Sequence, residues 1–117
     1  MLSEQLALNL GYSAAKARHI RFAAELHDIG KTLIPFEILN KPNPLAPAEI
    51  EVMKLHTVYG AMLLSHIPGE QGKIAKEIAL LHHEKFCGQG YWGFNASDLP
   101  LHINIVAVAD VFCALRI

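Results

Sequence analysis

The sequence predicts an all-α fold, and three observations carry that prediction. Apolar residues recur at helical spacing along several stretches, no alternating stretch is long enough to build a sheet, and prolines cluster in one connector. The 117 residues suffice for a single domain spanning 1–117, and 52% apolar content argues against a disordered chain.

Leu2 to Leu10 reads as a short helix or the tail of a longer one, stopped at Gly11. Ser13 is suited to cap a second helix running to Ile29, with Ile20, Ala24 and His27 on one stripe. Gly30 suits the left-handed residue that closes such a helix. Pro35, Pro42, Pro44 and Pro47 then break up a connector, leaving room for a turn around Phe36 to Leu39. Pro47 fits the first turn of a third helix ending near His66-Ile67-Pro68. Its expected inner stripe is Val52, His56, Tyr59, Gly60 and Leu63. A fourth helix over about Gly72 to His83 turns Ala75, Ile78, Ala79 and His82 inward. From Glu84 to Pro100, glycines alternate with Tyr91, Trp92 and Phe94, which reads as an ordered loop because those aromatics favour burial. The last helix begins near Leu101 and presents Ile103, Val106, Ala107, Asp110, Ala114 and Ile117 on one stripe.

A net charge of −1 gives no electrostatic reason to expect DNA, RNA or an anionic membrane as partner. No apolar run approaches a membrane span, and residue 1 onward shows no basic region followed by a hydrophobic stretch. Two cysteines, Cys87 and Cys113, fit a reducing cytoplasm, so a cytoplasmic location is expected. Seven histidines are the compositional anomaly.

Their placement points to chemistry. Glu25-Leu26-His27-Asp28-Ile29-Gly30-Lys31 ends an apolar helix with an imidazole, a carboxylate and an ammonium. Taken alone, that stretch also reads as a plain helix end with a solvated Asp and Lys. His56 lies inside an apolar stripe, and His82 and His83 close the fourth helix, where an imidazolium also favours the helix dipole. Asp110 falls on a core-facing stripe, where a carboxylate needs a cation, a histidinium or a raised pKa. Any one of these residues is unremarkable in a core; together they suggest a mixed nitrogen/oxygen metal site. Such a donor set suits iron, manganese, nickel or zinc better than magnesium or calcium.

At this point the residues resemble a known family. His27-Asp28-Ile29-Gly30-Lys31 is similar to the motif of HD-domain metallophosphohydrolases. Ile38-Leu39-Asn40-Lys41-Pro42, Met53-Lys54-Leu55-His56, His82-His83-Glu84, Gly88-Gln89-Gly90-Tyr91 and Ile105 to Phe112 resemble its HD-GYP subgroup in order and spacing. The resemblance implies a helical domain that binds two or three iron- or manganese-type ions and hydrolyses cyclic di-GMP. It implies that Asp28 bridges two metals, that His27 and Asp110 serve the first, and that His56, His82 and His83 serve the second. Lys31 would contact the scissile phosphate, and Gly90 and Tyr91 would shape the loop beside the substrate.

The sequence departs from that pattern in several places. The family's upstream ligand helix and its C-terminal helices are not expected within these 117 residues, so one metal should bind tightly and the second weakly. Trp92 stands at the proline of the Gly-Tyr-Pro triplet, Cys87 and Cys113 stand at aspartate positions, and Ala46 replaces a capping threonine. Three readings follow: a cyclic di-GMP phosphodiesterase, a non-hydrolytic module that senses the nucleotide or a protein, and a phosphohydrolase for another nucleotide. A homodimer and an upstream receiver or sensor domain are further expectations.

Overall fold

The computed structural model describes residues 2–84, 90–95 and 98–115, with side chains described through 112. Among the described residues there are six α-helices and a 3₁₀ turn at Ile29–Leu33, and no sheet forms. They are α1 (Leu2–Asn9), α2 (Ala14–Leu26), the 3₁₀ turn (Ile29–Leu33), α3 (Phe36–Leu39), α4 (Pro47–Leu64), α5 (Gly69–Leu81) and α6 (Leu101–Leu115).

Local chemistry sets most of the boundaries. Gly11, at φ +95°, takes the left-handed position after α1, and the Tyr12 amide reaches back to the Ala7 carbonyl. Ser13 caps α2 by accepting from the Lys16 amide at 3.1 Å. Pro47 opens α4. Its N-cap, Ala46, has no hydroxyl to offer, but the Glu49 carboxylate accepts the Ala46 amide at 2.8 Å, one half of a capping box. Lys41 pairs with the same carboxylate and, with the Ala46 amide, holds it below the usual carboxylate range.

The core lies where α2, α5 and α6 meet. Ala17, Ile20, Ala23 and Ala24 of α2 face Ile74, Ala75, Ile78 and Ala79 of α5, with Ile103, Ile105 and Val106 of α6 across them. The abundance of alanine lets helix axes approach closely, which draws the ends of α2 and α5 together at one place. α4 packs on α5 and on the 3₁₀ turn, completing the wall around that place.

Several sequence expectations need correction. α2 stops at Leu26, before the His27-Asp28 pair, and Ile29–Leu33 forms the 3₁₀ turn. Gly30 is not left-handed; positive φ occurs only at Gly11, Gly69 and Gly93 among the described residues. Gly30 is needed for space instead: a Cβ there would lie 1.8 Å from the His56 carbonyl oxygen. On α4 the buried residues are His56, Thr57, Gly60 and Leu64, while Leu63 is exposed, a shift of one position around the helix. α5 begins at Gly69, three residues earlier than expected. On α6 the buried face is His102, Ile103, Ile105, Val106 and Ala109, so Asp110 lies at its edge and is exposed. Trp92 and Phe94 are likewise exposed; their loop is held by hydrogen bonds to the Glu84 and Thr57 side chains. Cys87, the Gly88-Gln89 pair and the side chains of Cys113, Ala114 and Ile117 lie outside what is described.

Candidate metal centre

Five of the residues singled out in the sequence meet at the closed end of this bundle. α2 delivers His27 at its C-cap, the following turn delivers Asp28, α4 delivers His56, and the end of α5 delivers His82 and His83. Asp28 is the hub. One carboxylate oxygen, Oδ1, lies 3.2 Å from His56 Nε2 and 3.5 Å from His82 Nε2. The other, Oδ2, lies 3.2 Å from His27 Nε2 and 3.5 Å from the Lys31 ammonium. Asp110, arriving from α6, places Oδ1 3.4 Å from His27 Nε2.

The ring orientations are set by the helices themselves. His27 Nδ1 donates to the Ala24 carbonyl, His56 Nδ1 to Met53 at 2.8 Å, and His82 Nδ1 to Ile78 at 2.9 Å. An imidazole that donates at Nδ1 carries, when neutral, a bare lone pair at Nε2. Three lone pairs therefore converge on a carboxylate that offers only lone pairs. His27, His56 and His82 Nε2 and Asp28 Oδ1 are buried with no hydrogen-bond partner. Buried polar atoms left unpartnered are costly, and a cation among them removes that cost. Donor atoms of Asp28, His56, His82 and His83 lie within 4.8 Å of one another, so this group could hold a metal ion.

Electrostatics set these groups apart. Burial opposes the charge on Asp28, but when His27, His56 and His82 carry a proton at Nε2 their hydrogen bonds override it and hold the carboxyl far below the usual carboxylate range. Burial, with His82 and His56 close by, pushes the His83 imidazole down to about 3, so this ring is neutral at ordinary pH. His27 differs: burial opposes its charge, but Asp28, the Ala24 carbonyl and Asp110 raise its pKa.

The glycine-aromatic loop borders the cluster. Tyr91 stacks on His83, ring centroids 4.3 Å apart and planes at 23°, and half-buried Gly90 precedes it. Lys54 lies 5.7 Å from the Tyr91 ring centre. Two residues here had no role assigned from sequence, Thr57 and Glu84, both buried polar groups that bond to the loop. Thr57 was detectable in principle as a hydroxyl next to His56. Glu84's use of both oxygens for backbone amides has no sequence signal. His102 is a buried histidine remote from the cluster, its Nε2 3.6 Å from Glu77 on α5.

A family model described as HD domain matches residues 1–117. A cyclic di-GMP phosphodiesterase of Thermotoga maritima is 45% identical over 97% of this chain and 31% of its own length. A 3'3'-cGAMP-specific phosphodiesterase 2 of Vibrio cholerae is 42% identical over 96% of this chain and 22% of its own. The cyclic di-GMP phosphodiesterase response regulator RpfG of Xanthomonas campestris pv. campestris is 45% identical over 94% and 29%. The chain thus spans less than a third of the length of each of these relatives.

Proposed function

The chain belongs to the HD-domain family, and from that premise we propose that it is the catalytic core of a metal-dependent phosphodiesterase acting on a cyclic dinucleotide, with cyclic di-GMP as substrate. The observation that carries this reading is the convergence of three unpartnered imidazole nitrogens on the Asp28 carboxylate. The relatives above are named for cyclic di-GMP or 3'3'-cGAMP, so each name specifies a cyclic dinucleotide.

In this reading Asp28 would be shared by two cations. His27 and Asp110 serve the first, and His56, His82 and His83 the second. Iron or manganese is the expected metal, and nickel or zinc is compatible with the same donors. Cations held there would supply Lewis acidity, lowering the pKa of water and offsetting charge on the phosphate. The chain's own residues do the rest. Carbonyl bonds at Nδ1 fix each ring, so no reorientation is needed when the donors are used. Lys31, half exposed beside Asp28, meets the non-bridging phosphate oxygens as negative charge builds on them. The water oxygen adds to phosphorus while the P–O bond to the ribose breaks; that ribose oxygen leaves with a proton, giving a linear dinucleotide. Gly90 and Tyr91 border the nucleotide.

One observation favours a second reading, a nucleotide-sensing module without turnover. The compact four-residue group omits His27 and Asp110, and the Asp110 side chain is 46% exposed, so the first position is the weaker one. The test is to load the purified chain with manganese or, anaerobically, with ferrous iron and to add cyclic di-GMP or 3'3'-cGAMP. Metal-dependent linear product from cyclic di-GMP supports the first reading, and binding without product supports the second. Faster cleavage of 3'3'-cGAMP reassigns the substrate, and no binding of either nucleotide overturns both readings.

A further inference from the structure

We propose that Trp92 is a positioning residue, pinned from two sides by Glu84 and Thr57, and that it holds the ring of Tyr91 against His83 where the nucleotide is bound. Glu84 follows His83 directly and is 6% exposed. One of its oxygens accepts the Trp92 amide at 2.6 Å and the other the Phe94 amide at 2.9 Å, so the carboxylate is spent on the loop. Bonds to an ionised acceptor are the stronger class. From the opposite side, the Trp92 indole Nε1 donates at 3.1 Å to Thr57 Oγ1. Thr57 is fully buried on α4 beside His56, and its own hydroxyl donates to the Lys54 carbonyl at 2.8 Å, which leaves the oxygen lone pairs free to accept.

Both anchors therefore sit one residue from a cluster histidine: Glu84 after His83, Thr57 after His56. Between them the chain passes through Tyr91-Trp92, and the Tyr91 ring lies flat on His83. Loop and cluster share the same two supports. Proline, the residue at this place in the pattern that the chain resembles, has no amide hydrogen and no indole, so it makes neither bond. In this chain hydrogen bonds take over the restriction that a proline ring would impose. The consequence for a nucleotide rests on the function proposed above; the pinning itself does not.

Trp92 is the single tryptophan of the sequence, so its fluorescence reports this loop alone. In the metal-free 117-residue chain, Glu84→Gln and Thr57→Val are expected to lower the anisotropy of Trp92 and shift its emission to the red, with the far-UV dichroism unchanged. Thr57→Ser, which keeps the hydroxyl, restores both signals. In the manganese-loaded enzyme, Thr57→Val raises KM for cyclic di-GMP on the order of five-fold, the loss of about one hydrogen bond, while kcat stays nearly constant. Unchanged anisotropy in both variants overturns the proposal, and so does lowered anisotropy with KM unmoved. If the wild-type chain neither binds nor cleaves the nucleotide, the function above fails, and the anisotropy of the metal-free variants still decides whether Trp92 is pinned.

Discussion

At Gly30 the backbone of the 3₁₀ turn passes α4 so closely that any side chain meets the His56 carbonyl oxygen first and the Gly60 amide nitrogen next, at 2.5 Å. This approach is what brings Asp28 within reach of His56. Gly30→Ala forces the two backbones apart and should cost about 1–3 kcal/mol, read as a lower midpoint in denaturant titration together with weaker metal binding. The histidines make a second prediction at this scale, through their protons. His83, depressed to about 3, refuses a proton that the unfolded chain accepts below about 6.5, so in the metal-free chain stability falls as pH drops below that value. His102, also lowered by burial, adds to the acid limb. His27 has the opposite sign: its contribution is complete below about 6.5 and is lost as pH rises through its raised value. Denaturant titrations in chelator between pH 5 and 8 should show His83→Gln reducing the acid slope and His27→Gln the alkaline slope.

Among the elements, α4 is the one whose start is visibly under-capped. Glu49 supplies one half of a capping box, and Ala46 lacks the hydroxyl for the other half. Ala46 already has the extended backbone of an N-cap, at φ −68° and ψ 159°. Ala46→Thr should therefore stabilise the chain by ~1 kcal/mol, seen as a rise in melting temperature with unchanged metal affinity. The same element marks what sequence periodicity can resolve. Helix existence and order were legible because cap, stop and proline signals are local, as at Ser13, Gly11 and Pro47. The inner face of α4 was misread by one position at its C-terminal end, Leu63 for Leu64, because residues 58–64 carry no charged side chain and so little angular information. The end of α2 was misplaced because a 3₁₀ turn continues the same residue pattern with tighter winding. Gly30 looked like a helix stop; only the neighbouring helix reveals that it is a contact point.

For the molecule as a whole, the cluster was legible and its edges were not. His27, Asp28, His56, His82 and His83 were identifiable because polar residues at helix ends or on apolar stripes conflict with burial unless they are used. Asp110 was expected inside the core and instead lies at the rim, 3.4 Å from His27, since periodicity gives a face but not the depth of its border. The supports of the loop, Glu84 and Thr57, depend on contacts 8 and 35 residues apart in the chain, which no local pattern encodes. The bundle thus brings segments distant in sequence to one carboxylate and leaves three imidazole nitrogens without partners around it. Calorimetric titration of the metal-free chain with manganese tests most directly whether that arrangement holds metal. One ion should bind tightly and a second weakly, with His56→Ala abolishing the tight event and Asp110→Asn weakening only the second. A chain that binds no manganese, or whose tight site survives His56→Ala, would contradict it.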